Sequence, residues 1–173
     1  MRKLKVQMNI SLDNLWDRGM SKFSLDNLQA VDCVLHGRNT AEGFIPYWTD
    51  VANNPDDGEH QLGKRFLEIP HAVFSNTLLV SKWPNTEIIK GDIRQQIEML
   101  KNRNGKEIIV YGGNSFVSSL IQHDLVDEVY LLTNPAMIGA GEPAFNPLKG
   151  YPKLKLVKCS PFDCGAALMC YAK

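Results

Sequence analysis

Residues 107–116 read Glu-Ile-Ile-Val-Tyr-Gly-Gly-Asn-Ser-Phe, an apolar strand-like run that breaks into a glycine pair and then a helical pattern. A strand passing through Gly112-Gly113 into a helix leaves backbone N–H groups open at the positive end of that helix. Missing side chains and a positive dipole end suit a phosphate. The pair lacks the spacing of a dinucleotide fingerprint or a P-loop, and glycines at a strand end are also plain turns. Two further strand ends carry chemistry of the same kind: Gly37-Arg38-Asn39-Thr40 and Ser75-Asn76-Thr77. Arg38 can fork onto a phosphate that also accepts the Thr40 hydroxyl, or pair with Glu42 as a surface arginine. Ser75-Asn76 can bond an adenine or ribose edge, or simply form a strand exit. Three such ends on one parallel sheet would make a single crevice, where open α/β sheets bind ligands.

Other chemistries lack their residues. His36, His60, His71 and His123 are scattered, and no His-Glu-x-x-His or Cys/His cluster supplies a metal site. Ser115 follows Gly113-Asn114 outside any Gly-x-Ser-x-Gly pattern, so it reads as a helix N-cap or phosphate contact. An enzyme built on this chain therefore depends on a bound cofactor.

The elements that must position these residues alternate. Leu4, Val6, Met8 and Ile10 alternate with Lys5, Gln7 and Asn9, which predicts a strand with one solvated face. It stops at a turn over 11–14. Leu25, Leu28 and Val31 predict a short helix leading into a strand at 32–36. A second short helix, 41–45, is expected to end at Pro46. Residues 49–61 form the most polar segment and read as a surface loop. Leu62, Phe66 and Leu67 mark a helix, followed by strands at 71–75 and 86–89. Asp92 caps a helix over 92–103 with Gln95 at its third position. Strand 107–111, helix 114–122 and strand 127–133 follow. Segments 153–159 and 166–171 should close the chain as an antiparallel hairpin. Asp127-Glu128 reads as the start of a strand with surface partners. The pattern predicts an α/β domain with a mixed, mainly parallel sheet and helices on both faces.

The 173 residues read as one domain over 1–173, with 44% hydrophobic and 22% charged residues. Nineteen basic and nineteen acidic residues cancel, giving no electrostatic reason to expect nucleic acid or a membrane surface as partner. The first residues have no apolar signal segment, and no apolar run reaches membrane-spanning length. Cys33, Cys159, Cys164 and Cys170 lack Cys-x-x-Cys spacing and read as reduced, mostly buried thiols of a cytoplasmic protein.

Six motifs occur in order: Ser-Leu-Asp near the N-terminus, His-Gly-Arg-Asn-Thr-Ala-Glu-Gly-Phe, Val-Phe-Ser-Asn-Thr-Leu, Ile-Val-Tyr-Gly-Gly-Asn-Ser-Phe, Leu-Val-Asp-Glu-Val-Tyr-Leu and Asn-Pro-Ala-Met-Ile-Gly-Ala-Gly-Glu-Pro-Ala-Phe. Together they resemble the dihydrofolate-reductase-like family that includes the reductase domain of riboflavin biosynthesis, over nearly the whole chain. The resemblance implies a three-layer dihydrofolate-reductase-like fold, NADPH as cofactor and a homodimer. It also implies cofactor roles for Gly37, Arg38, Thr40, Ser75, Asn76, Gly112, Gly113, Asn114 and Ser115. The expected activity is NADPH-dependent reduction of a small heterocyclic or carbonyl- or imine-containing substrate. Alternatives are a 5-amino-6-(5-phosphoribosylamino)uracil reductase, a dihydrofolate reductase and a catalytically silent nucleotide-binding module. Asp13 is the candidate to deliver or relay a proton, with Asp26 second, although a turn-capping role fits Asp13 too. Asn14 departs from the glycine usual after Ser-Leu-Asp, and with Trp16 it alters the mouth where substrate enters.

Overall fold

The computed structural model describes residues 1–10, 18–137, 143–150 and 153–173, and at 18–23 the backbone alone. Strand β1 (Leu4–Asn9) lies in mid-sheet, between parallel neighbours β5 (Glu107–Tyr111) and β6 (Glu128–Thr133). Outward from β5 run β2 (Val31–Gly37), β3 (His71–Phe74) and β4 (Thr86–Ile89), all parallel. Strands β7 (Lys155–Pro161) and β8 (Ala167–Ala172) form the closing antiparallel hairpin, with β8 on β6, giving the order β4-β3-β2-β5-β1-β6-β8-β7.

Parallel neighbours need crossovers, and these supply the outer layers. On one face Leu28 of α1 (Arg18–Gln29), Trp48 and Val51 of α2 (Arg38–Asn53) and Leu62 and Phe66 of α3 (His60–Glu68) pack over Val31, Val34 and Ile109. On the other, Ile97 and Leu100 of α4 (Ile93–Asn102) and Val117 and Leu120 of α5 (Asn114–Gln122) cover Leu4, Val6, Leu35 and Val110. Asp92 caps α4, accepting from the Gln95 N–H at 3.0 Å. Glu128 pairs with the exposed Lys3 at 2.6 Å, whereas Asp127 pairs with the buried Lys101 at 2.6 Å. Among the described residues no helix is long and apolar enough to cross a membrane.

Three expectations are corrected. Helix α2 does not stop at Pro46 but runs through it to Asn53, taking in the start of the expected loop. Proline removes one backbone hydrogen bond. Burial of Ala41, Ile45, Trp48, Val51 and Ala52 along one stripe outweighs that loss. The alternating polar face of β1 is not solvated: Lys5 and Gln7 are buried beneath α1. Lys5 is ion-paired with Glu107 and reaches Asn27 at 3.3 Å, while Asn27 donates to Gln7 at 3.3 Å. Pairing satisfies the polar groups that burial takes from water. Of the thiols, Cys33 and Cys170 are buried, but Cys159 lies exposed on the edge strand β7.

The close fit of α2 on α3 passes through Gly63, where an added Cβ would stand 2.8 Å from the Ala52 backbone nitrogen. Gly63→Val should lower the unfolding free energy by about 1–3 kcal/mol, the usual cost of overpacking. Gly43 lies on the open side of α2, where an added Cβ would meet nothing within 4 Å. Gly43→Ala should instead stabilise by about 0.5–1 kcal/mol through helix propensity. Urea unfolding of both variants measures the contrast; equal shifts would remove the packing role of Gly63.

Candidate functional site

Because β3, β2 and β5 are parallel neighbours, their carboxyl ends bring Ser75-Asn76, Gly37–Thr40 and Gly112-Gly113 to one edge of the sheet. Gly113 adopts φ +78° as the N-cap of α5, and an added Cβ there would lie 2.6 Å from the Thr40 hydroxyl. Gly37 precedes α2, and its Cβ position is 3.0 Å from the Phe116 Cβ of α5. The first turns of α2 and α5 therefore meet. Neither helix has a side-chain cap on its first N–H groups from the N-cap residue. Two positive helix ends converge on this point. Gly112, at φ +64°, faces open space.

The sequence-predicted residues differ in what they are free to do. The Arg38 guanidinium donates to Glu42 at 3.2 Å and to the Thr77 hydroxyl at 2.9 Å, and its side chain is 46% exposed. It spans the ends of β2 and β3 while keeping a solvent-facing side. The Ser75 hydroxyl accepts from the Thr77 and Leu78 N–H groups at 3.3 and 3.2 Å, building a turn. The Asn76 side-chain Oδ1 accepts from Gly91 N–H at 2.9 Å. Ser115 is not the helix cap, a position that Gly113 holds; it sits in the first turn, where the Asn114 side chain accepts its N–H at 2.7 Å. Asn146 donates to the Ser115 hydroxyl at 3.3 Å, tying this turn to residues 143–150. Asp13 and Asn14 lie outside the described residues. Asp26 is exposed on α1, accepts from Gln29 at 3.4 Å and does not line the cavity described next.

Beside Gly112 and Gly113 opens a cavity of about 380 Å³ between α1, α2, α3 and the ends of β1 and β5. Phe44, Trp48, Phe66 and Tyr111 form its aromatic wall, and Gln7 and Ser24 contribute polar groups. Phe44 stacks on Tyr111 with centroids 5.5 Å apart, and Phe66 meets Tyr111 edge-on at 5.2 Å. Sequence reasoning missed this cage, since Phe44 stood near the end of a helix taken to stop at Pro46 and Trp48 lay beyond that end, in no assigned element. Their i, i+4 spacing, repeated by Phe66 in the next helix, was the available signal. A second cavity of about 390 Å³ lies at the opposite sheet edge. Its charges are paired with each other, Arg2 with Asp32 and Arg103 with Glu87.

Behind the cage lies a buried histidine pair. His71 Nε2 is 2.9 Å from the Phe66 carbonyl, so that nitrogen carries a proton and donates. His71 Nδ1 must then accept from His36 Nε2 at 2.9 Å, which leaves His36 Nδ1 as an acceptor without a partner among the described residues.

Three layers, a mainly parallel sheet with a terminal hairpin, and a crevice under two helix ends define an α/β domain of the dihydrofolate-reductase type. Residues 7–168 match the RibD C-terminal domain family, and the chain belongs to it. YyaP of Bacillus subtilis (strain 168), described as an uncharacterized protein, is 32% identical over 148 residues, covering 84% of this chain and 76% of its own. The structure of a putative riboflavin biosynthesis protein from Shewanella sp. PV-4 aligns with TM-score 0.69 at 18% identity, covering 99% of this chain and 98% of that one. A diaminohydroxyphosphoribosylaminopyrimidine deaminase/5-amino-6-(5-phosphoribosylamino)uracil reductase from Thermotoga maritima aligns with TM-score 0.67 at 20% identity. That match covers 99% of this chain but 56% of the other.

Burial holds His36 down at about 3 and lowers His71 from the ordinary 6.5. An unfolded chain binds these protons near pH 6.5, while the folded chain does not. Stability is therefore intact above about pH 6.5 and falls as the pH drops below it, by about 1.4 kcal/mol per pH unit for His36. Urea unfolding between pH 7.5 and 5.5 should show this slope in the parent. His36→Asn should reduce it by one proton; an unchanged slope would mean that His36 titrates normally.

Proposed function

We propose that this protein is an NADPH-dependent reductase of a small heterocyclic or carbonyl- or imine-containing substrate. The contact of Thr40 with the Gly113 position carries the proposal, because it joins two helix N-termini, neither capped by the side chain of its N-cap residue, beside an aromatic cavity. Backbone N–H groups of the first turns of α2 and α5, with Gly37, Thr40, Gly112, Gly113, Asn114 and Ser115, would hold the diphosphate. Arg38, steadied by Thr77, would hold the 2′-phosphate, while Ser75 and Asn76 fix the turn beside it. A reduced nicotinamide supplies a hydride when bound. The protein's own part is to orient the ring of the substrate, exclude water from the cage and provide a proton. Asp13, four residues beyond the cavity-lining Asn9, is proposed to provide it. Family membership and the activity named for the Thermotoga protein support a place among riboflavin-pathway reductases. On the sequence resemblance alone, the protein is further proposed to work in the cytoplasm as a homodimer.

Arg38→Ala tests the cofactor. Hydrogen bonds to charged groups contribute about 1.5–3 kcal/mol, so NADPH affinity should fall about ten- to a hundredfold. NADH lacks that phosphate and should bind the variant and the parent alike. Glu42 competes for the guanidinium, so Glu42→Gln should strengthen NADPH binding. Isothermal titration of both cofactors measures all three values. Equal losses for NADPH and NADH would reduce Arg38 to a structural role. NADPH binding without oxidation by any pterin, pyrimidine or quinone would leave the silent-module alternative.

Asp13→Asn keeps size and turn preference but cannot supply a proton as a carboxylic acid. Turnover should fall by about 10²–10⁴ with NADPH affinity unchanged. A variant with the parental kcat would end the proton role.

A further inference from the structure

One face of the outer three strands lacks a full second layer. Directly opposed residues of antiparallel strands share a face. The pairing of β7 with β8 and of β8 with β6 therefore puts Leu156, Cys159, Met169, Tyr171, Val129 and Leu131 on one side. Lys155, Lys158, Cys170 and Tyr130 lie on the other. The first side is the one that α4 and α5 cover over β1, β5 and β2. Among the described residues, the cover beyond β1 thins to Phe145, Leu148 and Leu154, which with Ile121, Leu131 and Tyr171 line an apolar groove of about 250 Å³. Leu156, directly opposite the groove-lining Tyr171, is 50% exposed. A sheet with one apolar face buries that face against another layer, and a contiguous exposed apolar patch marks an interaction site.

Charge and edge chemistry decide what completes the layer. None of the six residues named on this face is charged, and the β7 lysines stand on the opposite side. At the groove's end Asp124 and Lys173, 2.8 Å apart, neutralise each other. A partner bringing a charge onto this face would lose hydration with nothing to pair it. The matching surface is neutral and apolar, with a projecting side chain for the groove and a recess for Leu156. The chain itself carries both on one face, so a twofold axis lets each copy offer Leu156 to the groove of the other. Nineteen basic and nineteen acidic residues leave two copies without net repulsion. Pairing of one β7 edge with another is disfavoured: Lys155 and Lys158 stand on that strand, its ladder is irregular between Leu156 and Lys158, and Pro161 has no N–H.

We propose that two copies of this chain associate through the apolar face of β6, β8 and β7, with Leu156 of each copy seated in the groove of the other. This contact surface rests on the homodimer reading, not on the reductase activity.

Sedimentation equilibrium of the full chain, up to about 100 μM, tests it. The parent should sediment at twice 19.4 kDa. Leu156→Glu places a charge in the contact twice per dimer and should weaken association about a hundredfold or more. Leu156→Ser, a milder change, should weaken it in the same direction. Lys155→Glu alters charge on the same strand but on the opposite face, and should leave the dimer as in the parent. Leu79→Glu, replacing an 85% exposed leucine beyond β3, should do the same. Far-UV circular dichroism should match in all five proteins, because each replaced side chain is exposed in the single copy. A parent that stays monomeric throughout would overturn both the surface and the homodimer. A dimer that persists in Leu156→Glu and Leu156→Ser, or that Lys155→Glu weakens equally, would overturn the surface and leave the homodimer standing.

Discussion

Parallel pairing from β3 through β2 and β5 to β1 is the constraint on which the molecule depends. Each parallel pair must be joined by a crossover, and each crossover helix starts at the carboxyl edge of the strand before it. Helix α2 follows β2 with no loop, and α5 follows β5 through two glycines. Adjacent strands thus force two helix starts to within contact of each other. Only a residue without a Cβ tolerates the approach of Thr40 at position 113, and the left-handed backbone there demands glycine as well. The phosphate-favouring geometry is a by-product of topology, held in place by one small residue.

What the sequence made legible follows from this constraint. Strand–helix alternation and the Gly-Gly break were local signals, and local signals place elements along a parallel sheet. The Asp92 cap was readable for the same reason, since its partner Gln95 lies within one turn. The errors come where a distant element decides. Pro46 argues for a helix end on local grounds, yet the stripe from Ala41 to Ala52 gains its stability from α3 and the sheet. Lys5 and Gln7 look like a wet strand face until Glu107 and Asn27 are brought in from other elements.

The site was legible in part for the same reason. The three strand ends could be named from sequence, but not how their side chains are engaged. Ser75 and Asn76 carry nucleotide-friendly groups, yet their oxygens accept from Thr77, Leu78 and Gly91 to shape the turn beyond β3. Arg38 keeps a foot in both readings, with Glu42 and Thr77 holding it while nearly half of its side chain stays exposed. The aromatic cage could not be assembled without knowing that α2 passes Pro46 and lies against α3. That one helix boundary concealed Trp48, and with it most of the cavity wall.

The two edges of the sheet handle polar groups in opposite ways. At the amino edge charge meets charge: Arg2 with Asp32, Arg103 with Glu87, Lys101 with Asp127. Toward the carboxyl edge lie buried polar atoms without partners among the described residues, including those of Ser24, His36, Tyr111, Thr133 and Asn134. Glu107 shares that condition by hydrogen bonding alone, since its carboxylate is ion-paired with Lys5. Each unpaired buried group costs about 1–3 kcal/mol, a large amount beside the narrow margin of folded stability. A fold can carry that cost at one edge because the other edge and the two helical layers are well satisfied. Of the residues with unmet hydrogen bonds, Ser24 and Tyr111 line the aromatic cavity, His36 lies behind it, and Thr133 and Asn134 stand at the far end of β6.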